Sequence, residues 1–224
     1  VRGVVDTLGV EPEVISGDEE AALSFLGATS SLPVEDAERA APYLVVDIGG
    51  GSTEFVLGDR HAEAARSVDI GCVRLTERHL MPGGRLSDPP PPQLLAAIRD
   101  DINAALDTAE EAVPLREAAT LVGLAGSVTT VAGIALGLDA YDPAAIHHAR
   151  ISRAQVDEVV ARLARSGHEE RAAIPVMHPG RVDVIVAGSL VLQAVMARSG
   201  ADEVLVSEHD ILDGIALSAG RRAP

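Results

Sequence analysis

The chain has 224 residues, 47% of them hydrophobic and 23% charged, which is enough apolar material for a sizeable core and too much for a disordered segment. Eighteen Lys and Arg against 34 Asp and Glu give a formal charge of −16, a surface that repels nucleic acid, because duplex binding rests on cations neutralising phosphates. Two Tyr, two Phe and no Trp exclude base-stacking platforms and an aromatic membrane belt, and a single cysteine, Cys72, excludes an internal disulfide or a zinc cluster and suits a reducing cytoplasm.

In chain order, Val1, Val4, Val5 and Leu8 have helical spacing that ends at Gly9. Glu13 to Ser16 reads as a short strand. From Gly17, the run DEEAALSFLGA predicts a helix whose acidic start suits the helix dipole. The segment YLVVDIGGGSTEFVLG then predicts a strand at Tyr43 to Val46, a turn at Gly49 to Gly51 and a second strand at Thr53 to Leu57. Another strand, Ala65 to Ile70, leads to Gly71 and a helix from Val73 towards Leu80. The prolines at 89 to 92 form a stiff spacer that starts a helix from Gln93 to about Val113. Ala118 to Leu138 is uncharged and about long enough to span a bilayer, but it splits at Gly126 into a strand, Thr120 to Leu124, and a helix, Ser127 to Leu136. Helices at Arg153 to Ser166 and Arg181 to Ser199, a strand at Glu203 to Val206 and a closing helix complete the pattern. Interleaved strands and helices predict an α/β fold with a mixed or largely parallel sheet and flanking helices.

Three segments carry chemistry. In Asp47-Ile48-Gly49-Gly50-Gly51-Ser52-Thr53-Glu54, the glycines allow backbone N–H groups to turn toward an anion and Ser52 adds a hydroxyl. Asp47 and Glu54 are the acids that could hold Mg²⁺ there. A tight hairpin with an exposed acid fits the same residues. Gly123 to Ser127 lies between a strand and a helix, so its amides sit at a helix N-terminus that favours anions, although glycine-mediated packing explains it equally. In Ser16-Gly17-Asp18-Glu19-Glu20, adjacent carboxylates cannot share one environment, and helix-start acids are usually structural. Elsewhere, His147-His148 reads as two surface or packing histidines that point apart and lack a third ligand, Cys72 as a small buried hydrophobe, and Ser207 to Asp210 as triad residue types that do not converge.

The strings EVISGDEEAALSFLGA, YLVVDIGGGSTEFVLG, IGCVRLTE, VGLAGSVTT, MHPGRVDVIVAG and VSEHDILDGIAL, in that order over nearly the whole chain, resemble the exopolyphosphatase and guanosine pentaphosphate phosphohydrolase family, in its short actinobacterial form. The resemblance implies an actin-like (ribonuclease H-like) ATPase-superfamily fold. It implies Glu20 as general base for the attacking water, Asp47 and Glu54 at a Mg²⁺ (or Mn²⁺) site, and Gly49, Gly50, Gly51 and Ser52 as the phosphate loop. Gly126 and Ser127 match a second phosphate loop, with Ser127 in place of the usual Thr, and Arg181, where the family often has an arginine, could meet the phosphate chain, while an ion pair with Asp183 or a capping role fits it equally. The implied substrate is inorganic polyphosphate, with guanosine pentaphosphate or a non-catalytic polyphosphate or alarmone sensor as alternatives, in a cytoplasmic, stringent-response setting compatible with a homodimer.

Two family strings, D-x-G-[ST]-N-[ST] and A-T-S-A-x-R-D, have no counterpart here. The expected division is therefore a remnant of domain I at 1–16, domain II at 17–206, and a closing helix at 207–224 returning toward domain I. With half the cleft missing, these 224 residues alone are expected to be inactive.

Overall fold

The computed structural model describes residues 2–11, 15–32 and 40–222. Among these, one mixed sheet has the order β3-β2-β1-β4-β6-β5, with β1 Tyr43–Ile48, β2 Thr53–Gly58, β3 Ala62–Val68, β4 Thr120–Leu124, β5 Arg150–Ser152 and β6 Glu203–Val206. Strands β1, β4 and β6 are parallel at the centre, while β2 and β3 return antiparallel on one side and β5 antiparallel on the other. Layers on both faces explain why β1 opens as an unbroken apolar run, buried from Tyr43 to Val46.

The helices are α1 Arg2–Leu8, α2 Gly17–Thr29, α3 Cys72–Leu75, α4 Pro92–Glu110, α5 Ala125–Ala135, α6 Pro143–Ile146, α7 Arg153–Arg165, α8 His168–Ala172, α9 Ile185–Ser199 and α10 Ile211–Arg222. Alternation along the strands divides the core in two. Leu44, Val46, Ile48, Phe55 and Leu57 face the larger cluster, built with Ile98 and Ile102 of α4, Val128 of α5, Val156 of α7 and Leu190 of α9. Tyr43, Val45, Val56, Val122 and Leu124 face a smaller one, closed by Ala21, Phe25 and Ala28 of α2. Helix α10 lies against α2 so closely that a Cβ at Gly27 or Gly214 would clash with backbone of the opposite segment. Arg171, a fully buried cation, is tolerated because Asp88 pairs with it at 2.7 Å and the carbonyls of Val182 and Ser166 accept its other donors.

The expected α/β class, the mixed sheet and the division of Ala118 to Leu138 into strand and helix are all observed. No described helix is long and apolar enough to cross a membrane. Four of the boundary differences have a clear physical cause. The expected strand at Glu13 to Ser16 lies partly outside the described residues, and Ser16 instead caps α2, its side chain accepting from the Glu19 N–H at 3.2 Å. Strand β3 stops at Val68 because the chain bends so that the Ile70 carbonyl accepts from the Thr53 hydroxyl, 2.8 Å away. The helix placed at Val73 to Leu80 starts at Cys72 and opens into a π turn at Thr76–Leu80, where the Thr76 hydroxyl donates to the Cys72 carbonyl. The helix placed at Arg181 to Ser199 starts only at Ile185, after a 3-10 turn at Pro179–Arg181.

Candidate active site

On β1 the residue after Tyr43 and Val45 on the α2 side is Asp47, at the strand's carboxyl end. Antiparallel pairing sets Glu54 directly opposite it, and Ser67 of β3 opposite Glu54. Like charges in register destabilise a sheet, so their presence here is a functional signal. Ser67 steadies one of them, its hydroxyl donating to Glu54 Oε1 at 2.7 Å. The start of α2 overhangs this corner, where Glu20 lines a 180 Å³ cavity with Gly17, Ala21, Glu54, Arg66 and Ser67. Burial, followed by the charges of Glu54, Asp210 and Glu20, pushes the Asp47 carboxyl up to about 6.

Glu20, Asp47 and Glu54 are therefore neighbours at this corner, with Asp210 as an addition that sequence reasoning missed. Asp210 also caps α10, its Oδ1 accepting from the Leu212 N–H at 2.8 Å. Of Glu19 and Glu20, only Glu20 lines the cavity and acts on Asp47. Among the described residues, none of these four carboxylates has an ion-pair partner.

The loop from Gly49 to Ser52 joins β1 to β2, with the Gly49 N–H donating to the Ser52 carbonyl at 3.0 Å. The Gly49 carbonyl accepts from the Cys72 N–H and the Gly50 carbonyl from those of Val73 and Arg74, at 2.9 to 3.1 Å, while Gly51 accepts from Gly71 at 3.3 Å. Among the described residues, no acceptor in the protein takes the N–H groups of Gly50, Gly51 or Ser52. Consecutive N–H groups left free in this way are the kind of donor set that can take an anion. One part of the sequence argument is revised. None of the three glycines has a positive φ, and a Cβ at Gly50 or Gly51 would make ordinary contacts of 3.4 and 3.7 Å. The N–H groups are presented because the neighbouring segment grips the carbonyls.

Parallel pairing of Asp47 with Leu124 brings the second loop alongside the first, outside the carboxyl ends of neighbouring strands. Ala125 takes a left-handed φ of 66° as the chain turns into α5, whose first N–H groups, at Ala125, Gly126 and Ser127, are without a described acceptor. Arg181 reaches this point. Its guanidinium covers Gly126 so closely that a Cβ there would clash, and it donates to the Thr130 hydroxyl at 3.1 Å. Asp183, weighed as a partner for Arg181, is instead 2.7 Å from His168. The Ser127 side chain is buried against Gly188 of α9, so at this loop its backbone rather than its hydroxyl is presented.

Two groupings were invisible in the sequence. Tyr141 reaches Thr129 and Glu208 with its hydroxyl, at 2.8 and 2.7 Å, beside the start of α5. His147 and His148, expected to point apart, stack with ring centres 3.7 Å apart, and His209 lies 4.3 Å from His147. Burial holds both imidazoles below the usual range, helped at His147 by the charges of His148 and His209 and at His148 by that of His209. Among the described residues, no three His, Cys, Asp or Glu groups are arranged to enclose a metal ion. Two oxygen donors in register, Asp47 and Glu54, instead fit Mg²⁺, which keeps its waters and takes further ligands from phosphate.

The sequence profile of the Ppx/GppA phosphatase family matches residues 1–222. The chain is 49% identical over 214 residues to exopolyphosphatase 2 of Mycobacterium tuberculosis, covering 94% of this chain and spanning 64% of that protein's length. A crystal structure of an exopolyphosphatase-like protein superposes with a TM-score of 0.90 at 39% identity, over 99% of this chain and 72% of that one. The Aquifex aeolicus member of the Ppx/GppA family gives 0.81 at 25% identity, over 100% and 69%. The chain therefore belongs to the Ppx/GppA phosphatase family and carries its actin-like α/β fold.

Proposed function

We propose that the protein carrying this chain is an exopolyphosphatase, hydrolysing the terminal phosphoanhydride of inorganic polyphosphate with Glu20 as general base. The observation that carries the reading is a set of free loop N–H groups and the acidic group Glu20, both at the carboxyl end of β1. The name of the mycobacterial relative supports the substrate class.

In this reading the terminal phosphoryl oxygens rest on the N–H groups of Gly50, Gly51 and Ser52 and on the first turn of α5, with Arg181 beside Gly126. These donors are preorganised, so they stabilise the charge of the transition state without reorientation. Mg²⁺ or Mn²⁺, held by Asp47 with Glu54, neutralises phosphate charge when bound. Glu20 accepts a proton from the water as its oxygen bonds to phosphorus. The bridging P–O bond breaks, releasing orthophosphate and a chain one unit shorter. The −16 surface acts on long-range approach, whereas local backbone dipoles and Arg181 act on binding.

The test is phosphate release from polyphosphate and from guanosine pentaphosphate, side by side, with the intact natural protein and with a chelator control. Metal-dependent release, faster from polyphosphate, is expected. Faster release from guanosine pentaphosphate would reassign the substrate, and binding of either without release would make the protein a sensor.

A further inference from the structure

We propose that Arg74 is a positioning residue for the phosphate loop, locking the carbonyls of Gly49 to Gly51 backwards so that the following N–H groups face the anion. This rests on the reading above that the loop holds phosphate.

Across a trans peptide, the carbonyl of one residue and the N–H of the next point in opposite directions. The peptides from Gly49 to Ser52 are all trans. Fixing the three carbonyls on the 71–74 side therefore aims the N–H groups of Gly50, Gly51 and Ser52 the other way. Backbone donors at Cys72, Val73 and Arg74 fix the first two carbonyls. The third, Gly51, has only a long backbone bond from Gly71, at 3.3 Å, and its short bond comes from a side chain, Arg74 Nε, at 2.7 Å. Arg74 thus grips the Gly50 carbonyl with its backbone N–H and closes the clamp on the Gly51 carbonyl with its side chain. Gly71 is required for the close approach, since a Cβ there would clash with the Gly50 and Gly51 backbone.

The other contact of this arginine does not account for its placement. Asp69 lies 3.3 Å from its terminal nitrogen, but both side chains are exposed, and such pairs contribute little. A lysine could reproduce that pairing. It could not reproduce the Nε–H bond, which needs a planar guanidinium with a donor inside the chain as well as at its tip.

The experiment compares Arg74→Ala, Arg74→Lys and Asp69→Asn in the intact natural protein, measuring kcat and KM for polyphosphate and the melting temperature in chelator. Arg74→Ala should raise KM about tenfold, in line with the loss of one charge-assisted hydrogen bond from the loop. Arg74→Lys should match it with an unchanged melting temperature, and Asp69→Asn should stay within about twofold of wild type. If Arg74→Ala fails to fold, the lysine variant, which keeps the apolar stem, decides alone. Wild-type KM in the lysine variant, or an equal defect in Asp69→Asn, would overturn the positioning role while leaving the functional reading intact. A wild-type protein that neither hydrolyses nor binds either phosphate compound would remove both.

Discussion

The two faces of the sheet divide the work of this domain unequally. Behind it, α4, α5, α7 and α9 press fully buried aliphatic side chains against Leu44, Val46 and Phe55. In front, α2 seals a small patch around Tyr43, Val45 and Val56, and the same strands then turn acidic at Asp47 and Glu54. Val46 and Asp47 are neighbours in sequence on opposite faces. A one-residue slip of β1 would put the carboxylate in the core and the valine in the site, so the apolar back face also fixes the register of the front. Stability is concentrated on one side, and the other carries like charges that weaken the fold.

The largest expected effect falls on the front. Glu20→Gln should lower turnover by roughly 10²- to 10⁴-fold, the usual contribution of a positioned general base. It should leave the melting temperature near wild type, because Glu20 is exposed and without an ion-pair partner among the described residues. Glu19→Gln, whose side chain does not line the cavity, should change turnover by less than about threefold. Equal losses in both variants would break the assignment.

The back face should respond the opposite way. Ile98→Ala removes a fully buried side chain from the larger cluster and should cost about 2–5 kcal/mol in denaturant unfolding. At a temperature where the variant is folded, its KM should be that of wild type. A KM change comparable to the stability loss would mean that the two faces are mechanically coupled.

The legible part of this molecule is what local chemistry dictates. Tyr43 to Ser52 reads as a buried strand followed by a glycine turn because a β-branched apolar run and consecutive glycines dictate local structure, whereas the contact of Arg181 with Gly126 depends on how distant segments pack. Asp210 was not legible, since nothing in its neighbourhood refers to Asp47, and only the parallel arrangement of β1, β4 and β6 brings their carboxyl ends together. The histidine stack escaped for the same reason, His209 being supplied by the end of another strand. The Ser127 hydroxyl was placed by analogy at the loop, but close packing of α5 on Gly188 uses it for helix contact. Strand β5 has only three residues, too few for a period to show.

The smallest effect sharpens the comparison most, because it measures the cost of the acidic front directly. The Asp47 carboxyl sits at about 6 in the folded chain against an ordinary 3.8, so between these values the folded state binds the proton that the unfolded state has released. Stability from this group therefore rises as pH falls from 6 toward 3.8, and the destabilisation is complete above pH 6. Its full size is roughly 3 kcal/mol, or about 1.4 kcal/mol per pH unit within the window. Asp47→Asn removes the charge at nearly constant volume, so in chelator at about neutral pH it should be more stable than wild type by up to that amount, a rise of several degrees in melting temperature. The advantage should shrink through the window and vanish near its lower end, while phosphatase turnover falls. Glu54→Gln on top of Asp47→Asn should add less than it does alone, since the two charges oppose each other across one register position. An Asp47→Asn protein less stable than wild type, or an advantage that is flat with pH, would show that the front face carries its acids without strain.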